Sequence, residues 1–595
     1  MKITIIFITL FILSFSLFAQ ETNIHHNLKV NINPSTSSIE VVDELLLKSV
    51  LLKEDLLFTL HDNFNVELLT NGLKLKITKK SFSAKDIGMD RDDAESKSTL
   101  KLNEYSITGF DKGKDITLAL KYSGKISSPI KQSEENYQRG FSESPGIISD
   151  LGIYLAGSTY WIPTFDDEMV SFNLTTELPE GWKNVTQGKR TDEKTENGIH
   201  TDTWDSPTPQ EEVFLIAAKF TEYKYSMGSV DAMAFLRTPD EGIANKYLET
   251  TAQYMEMYRG LIGPFPYTKF ALVENFWETG YGMPSFTLLG EKIIRFPFIL
   301  HSSYPHELLH NWWGNSVYVD FEKGNWCEGI TAYMADHLIK EQRGQGVEYR
   351  RSTLQKFTNF VNETNDFPLS KFLSRHDGPS EAIGYGKALM MFHMLRRNVG
   401  DEQFIKSFQV FNRNNKYKKA SYNDIRIAFE EVTGKDLNWF FDQWVSRKGA
   451  PILSLEGVSV ESFTDVNIIK FNLRQTQKGE SFILDVPITF VTEEGSQTKV
   501  FHMTEKEGKF HFTTKTKPYK ILVDAQFDVF RKLDANETPP AFTKAYGSKK
   551  ALMILPSTAD KNYKLYEKFA NSWMKNKEDK FEIKNQSEIK ILPSD

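Results

Sequence analysis

Apolar and polar residues change period three times along this chain. Between about residues 21 and 228, short alternating or β-branched runs are broken by turn residues. Leu178-Pro179-Glu180-Gly181-Trp182 is one such break, and Phe214-Leu215-Ile216-Ala217-Ala218 is one such run. Period two with turn punctuation predicts strands. The polar stretch Lys131 to Ser144 predicts a long loop. The period then becomes helical. Ile243, Tyr247, Leu248, Thr251, Tyr254, Met255 and Tyr258 share one face, and Gly263-Pro264 stops them. From there to about Gly449 the pattern predicts a mostly helical region. Within it, Ser421 and Asp424 form a capping box ahead of Ile425, Ala428, Phe429 and Val432, and Gly434 closes that helix. Asp436 caps the next, whose face is Leu437, Phe440, Phe441 and Trp444.

After Gly449-Ala450-Pro451 the period returns to two. Ile469, Phe471 and Leu473 alternate with polar residues, as do Leu484, Val486, Ile488 and Phe490. A β-sandwich module to about Asp534 is expected. Pro539-Pro540 then introduces a short tail. Ala551 to Leu555 reads as a strand, about 560–575 as a helix and Ile589 to Leu592 as a second strand, an incomplete β-α-β unit.

The chain has 595 residues, too many for one hydrophobic core. Met1-Lys2, the apolar run Ile3 to Phe15 and then Ser16-Leu17-Phe18-Ala19-Gln20 predict a secretory signal peptide cleaved after Ala19. An exported protein, periplasmic or extracellular, is therefore expected. No other stretch is long and apolar enough for a stable membrane span. The net charge is -7, without a basic tract or RNA-binding motif, so nucleic acid is not an expected partner. Cys327 is the only cysteine, which rules out an intramolecular disulfide. It reads as a small buried hydrophobe.

The chemistry concentrates in His306-Glu307-Leu308-Leu309-His310, an H-E-x-x-H motif. On a helix, positions i and i+4 lie on one face, so both imidazoles can hold one cation. Two nitrogens and a carboxylate, Glu328 on the next expected helix, suit one Zn2+ with a coordination position left for water. Glu307 lies where it can take a proton from that water. Leu308, Leu309, Trp312 and Trp313 make this a core helix, and buried histidines need partners. Pro305 suits its first turn, with Ser302 or Ser303 as cap.

The region from about 150 to 530 resembles the zinc aminopeptidase family of gluzincins that includes alanyl aminopeptidase and leukotriene hydrolase. Gly263-Pro264-Phe265-Pro266-Tyr267-Thr268-Lys269 is similar to the family's G-x-Y-P-Y-x-K. His306 to Asn315 is similar to H-E-L-x-H-x-W-F-G-N, Trp326-Cys327-Glu328-Gly329 to the third-ligand segment, and Gln443-Trp444 to the end of the catalytic domain. The resemblance implies zinc held by His306, His310 and Glu328, with Glu307 as general base. It also implies a catalytic tyrosine about sixty residues beyond the third ligand. Tyr385 in Gly384-Tyr385-Gly386-Lys387 falls there, its phenol serving as oxyanion donor.

Two departures from the family pattern stand out. One residue is missing between His310 and Glu328, a deletion assigned to the loop Asp320 to Asn325. In addition, the family's G-x-M-E-N strand, whose glutamate binds the substrate amine, is here Tyr281-Gly282-Met283-Pro284-Ser285-Phe286. Gly282 and Met283 remain as the expected substrate-binding backbone, but the glutamate is Pro284. Glu274, Glu278 or an acid of the Glu134 to Glu143 loop could replace it.

The expected fold class is multidomain α+β. Signal peptide 1–19 precedes a β-rich N-terminal domain 20–228 and a thermolysin-like, mainly α zinc catalytic domain 229–448. A β-sandwich 449–534 and an α/β tail 535–595 follow. The expected function is a zinc-dependent metallopeptidase acting on peptide or protein substrates, foremost as an aminopeptidase. An endopeptidase without amine selection is the alternative that Pro284 favours, and a non-catalytic peptide-binding protein is a further one.

Overall fold

A computed structural model describes residues 22–589 except 53–54, 84–99, 129, 131–143, 549 and 575–580. The expected signal peptide, the long loop at 131–143 and the last residues of the tail lie outside the described residues. The architecture is multidomain α+β. The described chain forms two compact units. The first takes in most of the chain to Gln253 together with Phe265–Phe296, and the second Tyr254–Pro264 and Pro297 onward.

In the first unit a seven-stranded sheet carries the N-terminal core. Its strand order is Lys189–Glu196, Ile199–Gln210, Val170–Pro179, Ile24–Asn33, Ser38–Leu47, Ile116–Lys125 and Asn65–Leu68. Along Ile24–Asn33 every second residue from Ile24 to Val30 is buried, which is why this strand reads clearly as period two. Ile24 pairs with Leu47 antiparallel and with Val170 parallel. A five-stranded sheet follows, in the order Thr221–Met227, Val230–Leu236, Lys269–Asn275, Phe286–Gly290 and Gly280–Met283. The expected helix is present as Glu241–Leu261. It is the crossover between the parallel strands Val230–Leu236 and Lys269–Asn275, a connection too long for a hairpin.

Two sequence expectations are corrected here. The boundary at 228 falls inside the hairpin of Thr221–Met227 with Val230–Leu236. Residues 269–290 are strands rather than part of a helical region. Every residue of Lys269–Asn275 is buried. A strand covered on both faces shows no alternation, so its period is invisible in the sequence.

The second unit is helical to Ser446, then β. Helix Tyr422–Thr433 begins with the Ser421–Asp424 box, in which the Ser421 amide donates to Asp424 at 2.8 Å, and ends at Gly434 with φ +66°. Two three-stranded antiparallel sheets follow: Leu453–Ser462, Asn467–Gln475 and Glu507–Thr514, and Gly495–Met503, Leu484–Thr492 and Lys520–Val523. Phe471 of one lies 5.9 Å from Phe490 of the other, and Phe490 stacks on Phe512 at 4.4 Å. In the tail, Ala551–Leu555 pairs in parallel with Phe581–Asn585, with helix Tyr563–Met574 between them. The sequence pattern does not anticipate strand Phe581–Asn585, and residues 590–592 of the expected strand Ile589 to Leu592 lie outside the described residues. Only Phe581 of the observed strand is buried, so its apolar signal is weak.

Candidate metal centre

The H-E-x-x-H segment forms helix Ser303–Leu309, with His310 continuing in helical conformation. Ser302 precedes it, but its hydroxyl donates back to the Phe298 carbonyl at 2.9 Å instead of capping. The helix is held by buried aromatics. Tyr258 packs edge-on against Trp312, whose indole N–H donates to the Gly263 carbonyl at 3.2 Å. Trp313 meets Trp326 and Phe411.

The Asp320 to Asn325 loop is a short turn at Phe321–Lys323 followed by Gly324 at φ +93°. A Cβ at Gly324 would lie 2.5 Å from the Leu369 carbonyl, so only glycine fits. The Asn325 side chain donates to the Leu373 carbonyl and accepts the Cys327 amide, and the Trp326 indole donates to the Ala420 carbonyl. These contacts start the next helix in place despite the missing residue.

That helix runs through Cys327–Thr331, a π segment at Ala332–His337 and Leu338–Gln342. Glu328 Oε2 lies 3.5 Å from Nε2 of His306 and 3.5 Å from Nε2 of His310. This oxygen is buried and accepts no hydrogen bond. The other ring nitrogens are occupied. His306 Nδ1 donates to Asp336 Oδ2 at 3.2 Å, and His310 Nδ1 to the Trp313 carbonyl at 2.9 Å. Both Nε2 atoms therefore face Glu328, where a metal can take the place of a proton, as in imidazoles that bind a metal through one nitrogen and donate from the other. Donor atoms on a tetrahedral ion at zinc–nitrogen distances stand about 3.3 Å apart. The three donors lie within 4.8 Å of one another, so the residues fit a zinc ion.

The electrostatics point the same way. Burial disfavours charge on both imidazoles, but Asp336 holds His306 well above its usual range and Glu328 raises His310. Burial also opposes the Glu328 charge, yet His310 and His306 hold this carboxyl well below its range. The cluster favours positive charge at its centre, which a dication provides. Burial pushes the Glu307 carboxyl upward against the pull of both histidines.

Tyr385 lies on a second π segment, Ala382–Lys387. Its ring is nearly parallel to His306 at 6.3 Å, meets Phe372 edge-on at 6.1 Å and carries the Arg375 guanidinium 5.6 Å from its centroid. Burial, and then the Glu328 carboxylate, hold its phenol well above the usual range, so it remains an O–H donor. The structure thus brings His306, Glu307, His310, Glu328 and Tyr385 together. Gly282 and Met283 stand on the edge strand of the five-stranded sheet in the first unit, where Gly282 pairs with Thr287. Cys327 is buried.

Asp336 escaped the sequence reading. In an unbroken α-helix, residues eight apart point about 80° apart, whereas one extra residue taken up as a π turn reduces this to about 20°. The π segment, which local patterning does not reveal, turns Asp336 toward the Glu328 face.

Residues 302–444 match the Peptidase family M1 domain. The chain carries a domain of the zinc aminopeptidase family of gluzincins. Probable aminopeptidase 2 of Sulfurisphaera tokodaii is 23% identical over 335 residues, which is 50% of this chain and 40% of that protein. Legionella pneumophila aminopeptidase A, solved with aspartic acid, shares 14% identity at a TM-score of 0.62 over 89% of this chain and 61% of its own. An M1 zinc metallopeptidase of Deinococcus radiodurans, solved as a mutant, shares 15% identity at a TM-score of 0.52. That match covers 73% of this chain and 96% of the other. The structural likenesses establish the fold of the M1 domain and its neighbours. The matched part of this chain spans about two fifths of the Sulfurisphaera relative.

Proposed function

We propose that this chain is an exported zinc-dependent metallopeptidase, foremost an aminopeptidase, with one zinc ion and peptide or protein substrates. The observation that carries this reading is the convergence of His306, His310 and Glu328 beside Glu307 and Tyr385. A zinc ion, when held by the first three, would supply Lewis acidity. Glu307 takes a proton from the water that attacks the scissile carbonyl and returns it to the leaving amine, a task suited to a carboxyl whose proton affinity burial raises. Tyr385 donates its phenolic proton in a hydrogen bond to the carbonyl oxygen as that atom gains charge. Asp336 and the Trp313 carbonyl keep both imidazoles aimed at the centre. The presence of base and donor together favours turnover over peptide binding alone. Export rests on the N-terminal sequence. Among the described residues no helix is long and apolar enough to cross a membrane.

One observation favours the endopeptidase reading. Glu274, a candidate replacement for the acid lost at Pro284, is consumed: it pairs with Arg295 at 2.8 Å and accepts the Arg237 and Thr238 amides. Glu278 accepts the Lys292 amide through Oε1, and its Oε2 is buried without a hydrogen bond.

The test is cleavage of matched peptides, one with a free and one with an acetylated N-terminus, read by mass spectrometry. Stepwise trimming of the free peptide alone supports an aminopeptidase, and cleavage of both supports an endopeptidase. Glu307→Gln is expected to keep its zinc and lose turnover by at least about 100-fold. A Glu307→Gln enzyme as fast as wild type would sink the mechanism.

A further inference from the structure

The π segment that aims Asp336 is itself gripped by a set of buried and partly buried polar side chains that the proposed chemistry does not use. His337, next to Asp336, accepts a hydrogen bond at Nε2 from Arg350 Nη1 at 2.8 Å. Arg350 also donates to the carbonyls of Gln526 and Phe527 and lies 3.2 Å from Asp528 Oδ1. Asp528 accepts from His393 Nε2 at 2.8 Å, and His393 Nδ1 lies 3.1 Å from the Tyr333 hydroxyl. Tyr333 stands on the same π segment, with its ring stacked on His337 at 5.0 Å. The ring of contacts therefore leaves the π segment through His337 and returns to it through Tyr333.

Chemistry dictates where each proton lies. An arginine can only donate, so His337 Nε2 must accept. Burial first, and then His393 and Arg350, push His337 down to about 2, so it stays neutral. Burial lowers His393 as well, leaving a neutral ring that donates to Asp528 and accepts from Tyr333. Every hydrogen bond in the ring then has one donor and one acceptor, with the partly buried Asp528 carboxylate and the Arg350 guanidinium as its two charges, and Arg396 Nη1 donates to the Tyr333 hydroxyl from outside it at 3.4 Å. The Asp528 end is equally constrained. The turn after strand Lys520–Val523 contains Asp524 at φ +49° and Phe527 at φ +53°. The Asp524 carboxylate accepts the Asp528 amide at 2.7 Å and the Arg531 guanidinium at 3.0 Å.

We propose that this ring holds the π register of the third-ligand helix and thereby aims Asp336 at His306, making Tyr333, Arg350 and Asp528 positioning residues for the metal centre. The inference rests on the metal-centre reading above. It gives the turn that closes the β-sandwich a task in the centre: without Asp528, Arg350 and His393 lose the acceptor that joins them, and the two partners of the π segment are no longer tied to each other. The π turn is then free to relax to α geometry, which rotates Asp336 away from His306 Nδ1.

The test is the zinc affinity of the full chain, measured by competition with a chelator, with the thermal unfolding midpoint recorded for each protein. Tyr333→Phe and Asp528→Asn, both close in volume to the native residue, are each expected to weaken zinc binding by about tenfold or more. In an Asp336→Asn background the same substitutions should cost almost nothing further, because the group they position is already disabled. Phe471→Leu, a packing change among the sandwich aromatics Phe490, Phe501 and Phe510, should lower the midpoint and leave zinc affinity intact. Native-like affinity in both single variants, or losses that add fully to that of Asp336→Asn, overturns the inference and leaves the metal centre standing. A wild-type chain that binds no zinc overturns the metal-centre reading itself.

Discussion

Removing one oxygen atom from Tyr385 isolates its proposed role. The Tyr385 ring is positioned by packing that does not involve its hydroxyl: His306 at 6.3 Å, Phe372 at 6.1 Å and the Arg375 guanidinium at 5.6 Å. Tyr385→Phe keeps all three contacts, so the ring should stay in place. The phenol is held well above its usual range, so wild type offers a donor throughout neutral and mildly alkaline pH. Losing one preorganised donor to a developing oxyanion costs about 2.7–4 kcal/mol, or about 100- to 1000-fold in kcat. Because the interaction strengthens only as charge develops, the loss should appear in kcat with KM nearly unchanged. Initial rates on the peptide cleaved by wild type, together with zinc content and the unfolding midpoint, measure this. A variant within about threefold of the wild-type kcat refutes the donor role. A variant that loses zinc shows instead that the hydroxyl serves the metal site.

Two further outcomes follow from packing and burial. A Cβ on Gly329 would lie 2.2 Å from the Ala388 Cβ, where the Glu328 helix crosses the one that follows Tyr385. Gly329→Ala should therefore cost about 1–3 kcal/mol in denaturant unfolding and lower kcat, and unchanged stability would show that the crossing can yield. Lys387 is buried, donates to the Arg447 carbonyl at 2.6 Å and is pushed by burial to about 8, with Asp366 pulling the other way. An unfolded lysine titrates at about 10.4, so between about 8 and 10.4 the unfolded chain holds a proton that the folded chain has released. Stability should rise with pH across that window relative to Lys387→Met, by up to about 3 kcal/mol. An unfolding free-energy difference that is the same at about pH 7.5 and about pH 10, on either side of most of that window, refutes this.

The parts of the centre legible in the sequence are those that depend on local spacing. His306 and His310 share a helix face because four residues make about one turn, and the capping box of Ser421 with Asp424 is visible because it too is local. The alternating strands of the sandwich are legible because each has one face in the core. The strands at 269–290 were not, since burial on both faces removes the alternation. Asp336 left a partial signal, an acid two turns beyond Glu328, but the extra residue of the π segment conceals its register.

Residue order alone sets the type of chemistry: two imidazoles on one turn, a carboxylate between them, and the residue types that suit zinc. Packing in three dimensions completes the centre. Glu328 arrives through a turn that Gly324 allows against the Leu369 carbonyl, and Tyr385 through a π segment beneath Phe372 and Arg375. Asp336 is aimed by partners as distant in sequence as Arg350, His393 and Asp528. Spacing along the chain specifies contacts within a turn or a hairpin. Contacts between segments tens to hundreds of residues apart exist only once the buried aromatics and polar pairs have packed, because until then nothing offsets the entropy of bringing those segments together.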